Sequence, residues 1–218
     1  MSSSEYMKNH YVSVVDGGGV GFVKRAIHRL IEKGHDGFVE RVLELGAGQG
    51  QHRTFVRQDV GLYLEGDLED LNPTRGESTE FVKLDAQNLE MFPENYFDRI
   101  IATCLLTHLT FPEQALKEWR RVAKKENGCI DIWVPCEMGL LLRVAQKLTT
   151  RRKVNAKGFN YDSIQHREHR NHFYTMNTLI KEVYDGDDIQ IKGFPFSNLP
   201  WDFQLVRIYK IRIKDNIA

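Results

Sequence analysis

The sequence predicts an α/β fold, a mostly parallel sheet covered by helices on both faces. Two observations carry that reading. Short apolar, strand-like runs alternate with amphipathic helical stretches, and that alternation produces a parallel sheet flanked by helices. One of those strands, Val42-Leu43-Glu44-Leu45, runs directly into the glycine turn Gly46-Ala47-Gly48-Gln49-Gly50. The 218 residues, 41% apolar and 28% charged, are enough for one well-cored domain and too few for two comfortable ones.

The elements follow in order. Gly17-Gly18-Gly19-Val20-Gly21 follows no apolar strand and is expected to be a hinge. From Phe22 to Lys33 the apolar positions Phe22, Val23, Ala26, Ile27, Leu30 and Ile31 recur at helical spacing, and Gly34 ends the helix. Strands are expected near residues 41–45, 62–66, 80–84, 98–103 and 129–134. Helices are expected near residues 51–58 and 112–125, the second with Ala115, Leu116, Trp119, Val122 and Ala123 on one stripe. Residues 138–148 read as helix and residues 149–172 as polar, basic, irregular chain. A last helix fits 175–183, with Thr175 as its N-cap, and strands fit 189–194 and 204–213. Pro195 and Pro200 bracket a shaped loop ending at Trp201.

Thirty basic and thirty acidic residues cancel, so the whole molecule exerts no strong pull on nucleic acid, and DNA is not an expected partner. The charge is nevertheless uneven. Between Met138 and Tyr174 the bases Arg143, Lys147, Arg151, Arg152, Lys153, Lys157, Arg167 and Arg170 face only Asp162 and Glu168. That segment reads as a solvated face or as an anion-binding edge. Cys104, Cys129 and Cys136 show no C-x-x-C spacing, so neither a disulfide framework nor a metal site is expected. No apolar run reaches membrane-spanning length and the first residues lack a signal-peptide core, which makes the cytoplasm the expected compartment. A monomer or homodimer is expected.

The glycine turn is a nucleotide-binding corner, because glycines let backbone approach a ligand closely. A dinucleotide fingerprint would place its third glycine at position 51, which is Gln51. Here the third glycine comes one residue early, and Glu44 stands two residues before the first. That acid suits a ligand with a cationic amino-acid end, and the spacing disfavours a NAD-dependent dehydrogenase.

With Glu44, Gly46, Gly48 and Gly50, the turn resembles motif I of the class I S-adenosylmethionine (SAM) dependent methyltransferases. Leu62–Leu68, Phe81–Gln87 and Phe97–Leu109 resemble that family's next three strand-end motifs, in order, so the resemblance covers roughly residues 38 to 135. It implies a Rossmann-like seven-stranded, mostly parallel sheet with an antiparallel last strand and a lid inserted between strands five and six. A single domain 1–218 would comprise an N-terminal cap and helix (1–36), a SAM-binding core (38–135), a substrate lid (137–174) and a C-terminal helix and hairpin (175–218). The implied cofactor is SAM. Glu44 would contact its amino-acid end, and Gly46 and Gly48 would lie against the methionine part. Asp67, followed by Leu68, would accept from the ribose hydroxyls, with Glu65 as the competing acid and the loser a solvated rim residue. Asp85 and Ala86 would meet the adenine, unless Asp85 merely caps a turn. Thr103 and Cys104 would floor the site, Cys104 as a small apolar filler.

Histidines supply the candidate bases. His108 stands in Thr107-His108-Leu109, where many family members carry Glu-His-Leu, and reads either as a base or as a helix-start residue. His166, His169 and His172 form a second group. One of His108, His166 and His169 would take a proton from an attacking hydroxyl. Arg167 and Arg170 would grip an anionic group, and His172 and Tyr11 would help to wall the substrate, with Tyr6, Tyr161, Tyr174 and Trp201 as further aromatic candidates. No Asn/Asp-Pro-Pro-Tyr/Phe motif is present, which favours oxygen over nitrogen as acceptor. The expected activity is O-methylation of a small-molecule or glycan acceptor, an anionic one included. The order of histidine segment, helix, Phe-Pro-Phe and Leu-Pro-Trp also resembles methyltransferases of sugar or surface-polysaccharide modification. The alternatives are an RNA methyltransferase and a non-catalytic SAM-binding or partner subunit.

Overall fold

The computed structural model describes residues 18–72 and 74–215. Seven strands form one sheet: β1 (Phe38–Leu45), β2 (Asp59–Asp67), β3 (Thr79–Lys83), β4 (Arg99–Thr103), β5 (Cys129–Pro135), β6 (Asp188–Phe194) and β7 (Val206–Arg212). Their order is β3-β2-β1-β4-β5-β7-β6. Pairing is parallel from β3 through β5, and β7 runs antiparallel to both β5 and β6. This is the Rossmann-like sheet that the resemblance implies. Strand order reverses between β1 and β4, and ligands bind at such a switch point in open α/β sheets.

Alternation along the strands divides the core between two faces. Leu43, Leu45, Ile100, Ile130 and Ile132 pack toward α2 (Pro112–Val122) and α6 (Phe173–Val183) with Trp119, Phe173 and Ile180. On the other face α1 (Gly18–Glu32) buries Ile27 and Ile31 against Trp133 and Ile208. Between β5 and α6 lie three further helices, α3 (Leu140–Leu148), α4 (Thr150–Ala156) and α5 (Tyr161–Glu168).

Four expectations are corrected. The glycine tract is not a hinge; from Gly18 onward it is the first turn of α1. Glycines cost a helix about 1 kcal/mol each against alanine, but packing of its apolar stripe outweighs intrinsic propensity. After the glycine turn there is no helix over 51–58, only a 3-10 turn at His52–Phe55. His52 is buried there and held by Glu32 and His28, and the chain must enter β2 soon afterwards. Residues 149–172 are not irregular, since α4 and α5 occupy most of them. Finally, α6 starts at Phe173 with His172 at the N-cap position, not Thr175; buried Phe173 stacks on Trp201 at 5.0 Å and draws the first turn inward.

One buried polar network ties α1 to the sheet. The Arg99 guanidinium donates to Glu32 Oε1 at 2.7 Å and to Asp131 Oδ2 at 2.7 Å. Despite burial, hydrogen bonds from His52 and Arg99 hold the Glu32 carboxyl down at about 2. Asp131 stays well below the usual carboxylate range beside Arg99 and His35. His35, Cys129 and Asp131 converge closely enough to resemble a metal-ligand group. The ion pairs of Asp131 with Arg99 and His35 already account for that convergence.

Candidate functional site

All three glycines of the turn sit in the left-handed region, Gly46 at φ +67°, Gly48 at +55° and Gly50 at +68°. A side chain is strained at each. A Cβ on Gly46 would also lie 2.9 Å from Leu105 Cδ1, whereas one on Gly48 would enter open space. The turn is pinned to β2, because Gly46 N–H donates to Gly66 O at 2.8 Å and Gly48 N–H donates to Asp67 Oδ2 at 2.8 Å. Leu68 N–H donates to the other Asp67 oxygen at 2.7 Å.

That geometry separates the two candidate ribose acids. Asp67 lies against the glycine turn at the end of β2. Glu65 is no rim acid: it is buried, and Asn72 Nδ2 and Arg75 Nε donate to it at 2.9 Å. Glu44 is buried too and accepts from Tyr63 OH at 2.8 Å; burial pushes its carboxyl up to about 7. Asp85, just past β3, is exposed and accepts from Gln87 N–H at 2.9 Å, so it does cap a turn. Neighbouring Ala86 is buried, and its carbonyl accepts from Trp119 Nε1. Thr103 ends β4 half-buried. Cys104 follows at φ +59°, and burial raises its thiol to about 12, so it is a protonated apolar filler. Together Gly46, Gly48, Asp67, Asp85 and Cys104 stand at the C-terminal ends of β1 to β4. A glycine turn free of side chains, open space at Gly48 and a carboxylate beside it fit an adenosyl group with an amino-acid tail.

A chamber of about 270 Å³ adjoins Cys104. The N-terminal residues Gly19, Val20 and Val23 of α1 line it, as do Trp133 and Pro135 of β5, the inner side of α3 through Leu142, Ala145 and Gln146, and Tyr161 and Ile164 of α5. Most of its surface is apolar, and its polar groups include a bonded cluster. His169 Nδ1 stands 2.5 Å from Glu137 Oε1, and Gln165 Nε2 donates to the same oxygen at 2.7 Å. The carboxylate can only accept, so Nδ1 carries the proton and donates it to Glu137. His108 lies edge-on to His169, ring centres 4.8 Å apart. Its Nδ1 is 2.9 Å from the Glu168 carbonyl and must donate, which leaves Nε2 with the lone pair. Burial, then the neighbouring His169, lowers the His108 pKa, which disfavours a charge on that ring.

The expected substrate residues divide. His108 and His169 line the chamber. His166 and Arg167 are exposed on α5, and Arg170 and His172 are exposed beyond it; none of the four lines the chamber. Helix α5 is the reason. Its backbone turns extended at His169, which swings that ring inward and separates it from His166. Arg170 instead bonds Thr110 Oγ1. Tyr174 is exposed and Trp201 packs on Phe173. Tyr6 and Tyr11 lie outside the described residues. Glu137 and Gln165 went unseen in the sequence. The one available signal was an acid two residues past the end of β5, at the sheet edge where ligands bind.

Residues 43–130 match a family model described as a methyltransferase domain. No curated protein matches the chain. Solved structures share the fold. A chain from the complex of the Haloferax volcanii Trm112 methyltransferase activator with its methyltransferase is 13% identical, with a TM-score of 0.63 and 98% of each chain covered. A SAM-dependent methyltransferase from Archaeoglobus fulgidus is 16% identical, with a TM-score of 0.61 and coverage of 93% of this chain and 97% of that one. A Haemonchus contortus phosphoethanolamine N-methyltransferase, solved with S-adenosylhomocysteine, is 14% identical with a TM-score of 0.61; the match covers 98% of this chain and 61% of that one. Residues 43–130 match a methyltransferase domain, and the chain as a whole shares the fold of SAM-dependent methyltransferases.

Proposed function

We propose that this enzyme methylates a hydroxyl group on a small, largely apolar acceptor held in the chamber beside Cys104, with His169 as the general base. The observation that supports this reading is the Glu137–His169 pair inside a cavity whose surface is mostly apolar. Bound SAM supplies an activated methyl carbon. The chain's own residues then have three tasks: to align the acceptor, to exclude water, and to remove the hydroxyl proton.

Alignment and water exclusion fall to Trp133, Leu142, Tyr161 and Ile164, whose apolar surfaces enclose the acceptor. Proton removal falls to His169 Nε2. Glu137 holds the ring by its Nδ1–H and faces the cation that the ring becomes. His108 is held by a backbone carbonyl and its basicity is lowered by burial, so it serves better as a neutral hydrogen-bonding group for the acceptor. On this reading Glu44, Gly46, Gly48, Asp67 and Asp85 hold the cofactor, and residues 137–174 are the substrate lid over a 38–135 core. The apolar lining supports a phenol or alicyclic alcohol over a sugar or glycan, and the exposed Arg167 and Arg170 supply no anion clamp inside the chamber.

The test is a methyl-transfer assay over matched panels of phenols, alicyclic alcohols, sugars and amines, run with wild type and His169→Asn. Transfer to hydroxyl-bearing apolar compounds, lost in the variant while cofactor affinity is kept, is the expected result. Transfer confined to sugars or amines, or unchanged in the variant, contradicts the proposal.

A further inference from the structure

Helix α3 has two faces with different uses. The inner one lines the chamber through Leu142, Ala145 and Gln146. The outer one carries Leu140, Val144 and Leu148, spaced i, i+4, i+8, which are 55%, 48% and 69% exposed. Beside that apolar ridge runs a second one, Arg143 and Lys147, also exposed, and Arg151 continues its spacing into α4. From Met138 to Tyr161 the sequence holds six basic residues and no acid. Asp162, just beyond that stretch, reaches back to pair with Arg151.

We propose that this outer face docks the protein on an anionic lipid bilayer, with α3 lying in the plane of the membrane surface. Charge and apolarity must be explained together. A ridge of leucine and valine left in water is unfavourable, and a flanking row of bases repels any cationic partner. Anionic lipid headgroups complement the bases, and the acyl boundary beneath them takes the apolar ridge, as in interfacial amphipathic helices. Nucleic acid would answer the bases and leave the ridge uncovered. Since the whole chain is neutral, the attraction is local to this face. The docked helix is also a wall of the chamber, so an apolar acceptor dissolved in the membrane would be close at hand. Docking itself stands or falls apart from the hydroxyl-methylation reading.

The experiment is vesicle flotation of the 218-residue protein with phosphatidylcholine vesicles, with and without phosphatidylglycerol. Binding is expected only to the anionic vesicles and should weaken as salt rises. Arg143→Gln and Lys147→Gln should each weaken it about fivefold, and the pair Val144→Ser and Leu148→Ser by about tenfold or more. The thermal midpoint and affinity for S-adenosylhomocysteine should stay at wild-type values, which separates lost docking from lost fold or cofactor site. Absence of binding to anionic vesicles overturns the proposal. So does binding that survives the serine substitutions, or single-stranded RNA binding more tightly than vesicles, since either makes the face a general polyanion surface.

Discussion

His169 Nδ1 meets Glu137 Oε1 at 2.5 Å across 32 positions of sequence, joining the C-terminal cap of α5 to the loop after β5. A carboxylate at that distance fixes the tautomer and orientation of the ring. Glu137→Gln keeps a hydrogen-bonding partner and removes the charge. It should lower kcat by about 10²–10³ and His169→Asn by about 10²–10⁴, with KM for the acceptor within a few-fold. Steady-state kinetics on both variants checks this; a KM effect without a kcat effect would make the pair a binding element only.

Gly46 and Gly48 should respond differently to alanine. Both adopt left-handed backbone, but only at Gly46 does the new Cβ meet Leu105. Gly46→Ala should therefore cost stability, about 2–3 kcal/mol from strain and crowding together. Gly48→Ala should cost about 1 kcal/mol in folding and weaken cofactor affinity at least tenfold, because its methyl enters the space assigned to the ligand. Thermal denaturation and calorimetric titration with S-adenosylhomocysteine read the two effects separately.

Arg99 is buried between two carboxylates, Glu32 and Asp131. Arg99→Leu leaves both acids buried without their cation, and loss of one partner from such a site costs about 3–5 kcal/mol. Chemical denaturation should show that loss. A cost below about 1 kcal/mol would mean that the network relaxes when its centre is removed.

His28 sets an acid limit on stability. Burial and the neighbouring His52 lower its pKa from 6.5 to about 3, and its Nε2 has no partner among the described residues. The unfolded chain then binds the proton first as pH falls. Stability from this group is complete above pH 6.5 and declines as pH drops toward 3. The shift corresponds to about 3 kcal/mol lost between pH 7 and pH 4. Glu32 adds loss in the same direction below its ordinary 4.5. The raised Glu44 carboxyl acts oppositely, stabilising the fold at low pH and losing that contribution as pH climbs through about 7. His28→Leu should therefore flatten the acid limb of a stability–pH curve, with a smaller difference between pH 7 and pH 4 than wild type.

The sheet is legible in the sequence because each strand advertises itself locally. Leu43 and Leu45 point one way, Val42 and Glu44 the other, and the glycine turn marks where β1 must stop. The helices α4 and α5 are not, because Thr150–Ala156 and Tyr161–Glu168 carry mixed polar residues without an apolar stripe. Their helicity comes from packing of Val154, Tyr161 and Ile164 on one another. For the same reason His166 looks equivalent to His169 by spacing, while the backbone break at His169 gives only one of them access to the chamber. Glu137 has no local signature at all, since the group that gives it a role arrives from another helix.

The most direct measurement is a crystal structure with S-adenosylhomocysteine and an acceptor alcohol bound. The adenosine and amino-acid ends should lie along Gly46, Gly48 and Asp67, with the sulfur facing the chamber past Cys104. His169 Nε2 should lie within hydrogen-bond reach, or one bridging water, of an acceptor oxygen that lies in line with that sulfur. A sulfur turned away from the chamber, or His169 and His108 both more than about 8 Å from the methyl position, beyond the span of one bridging water, would contradict this arrangement.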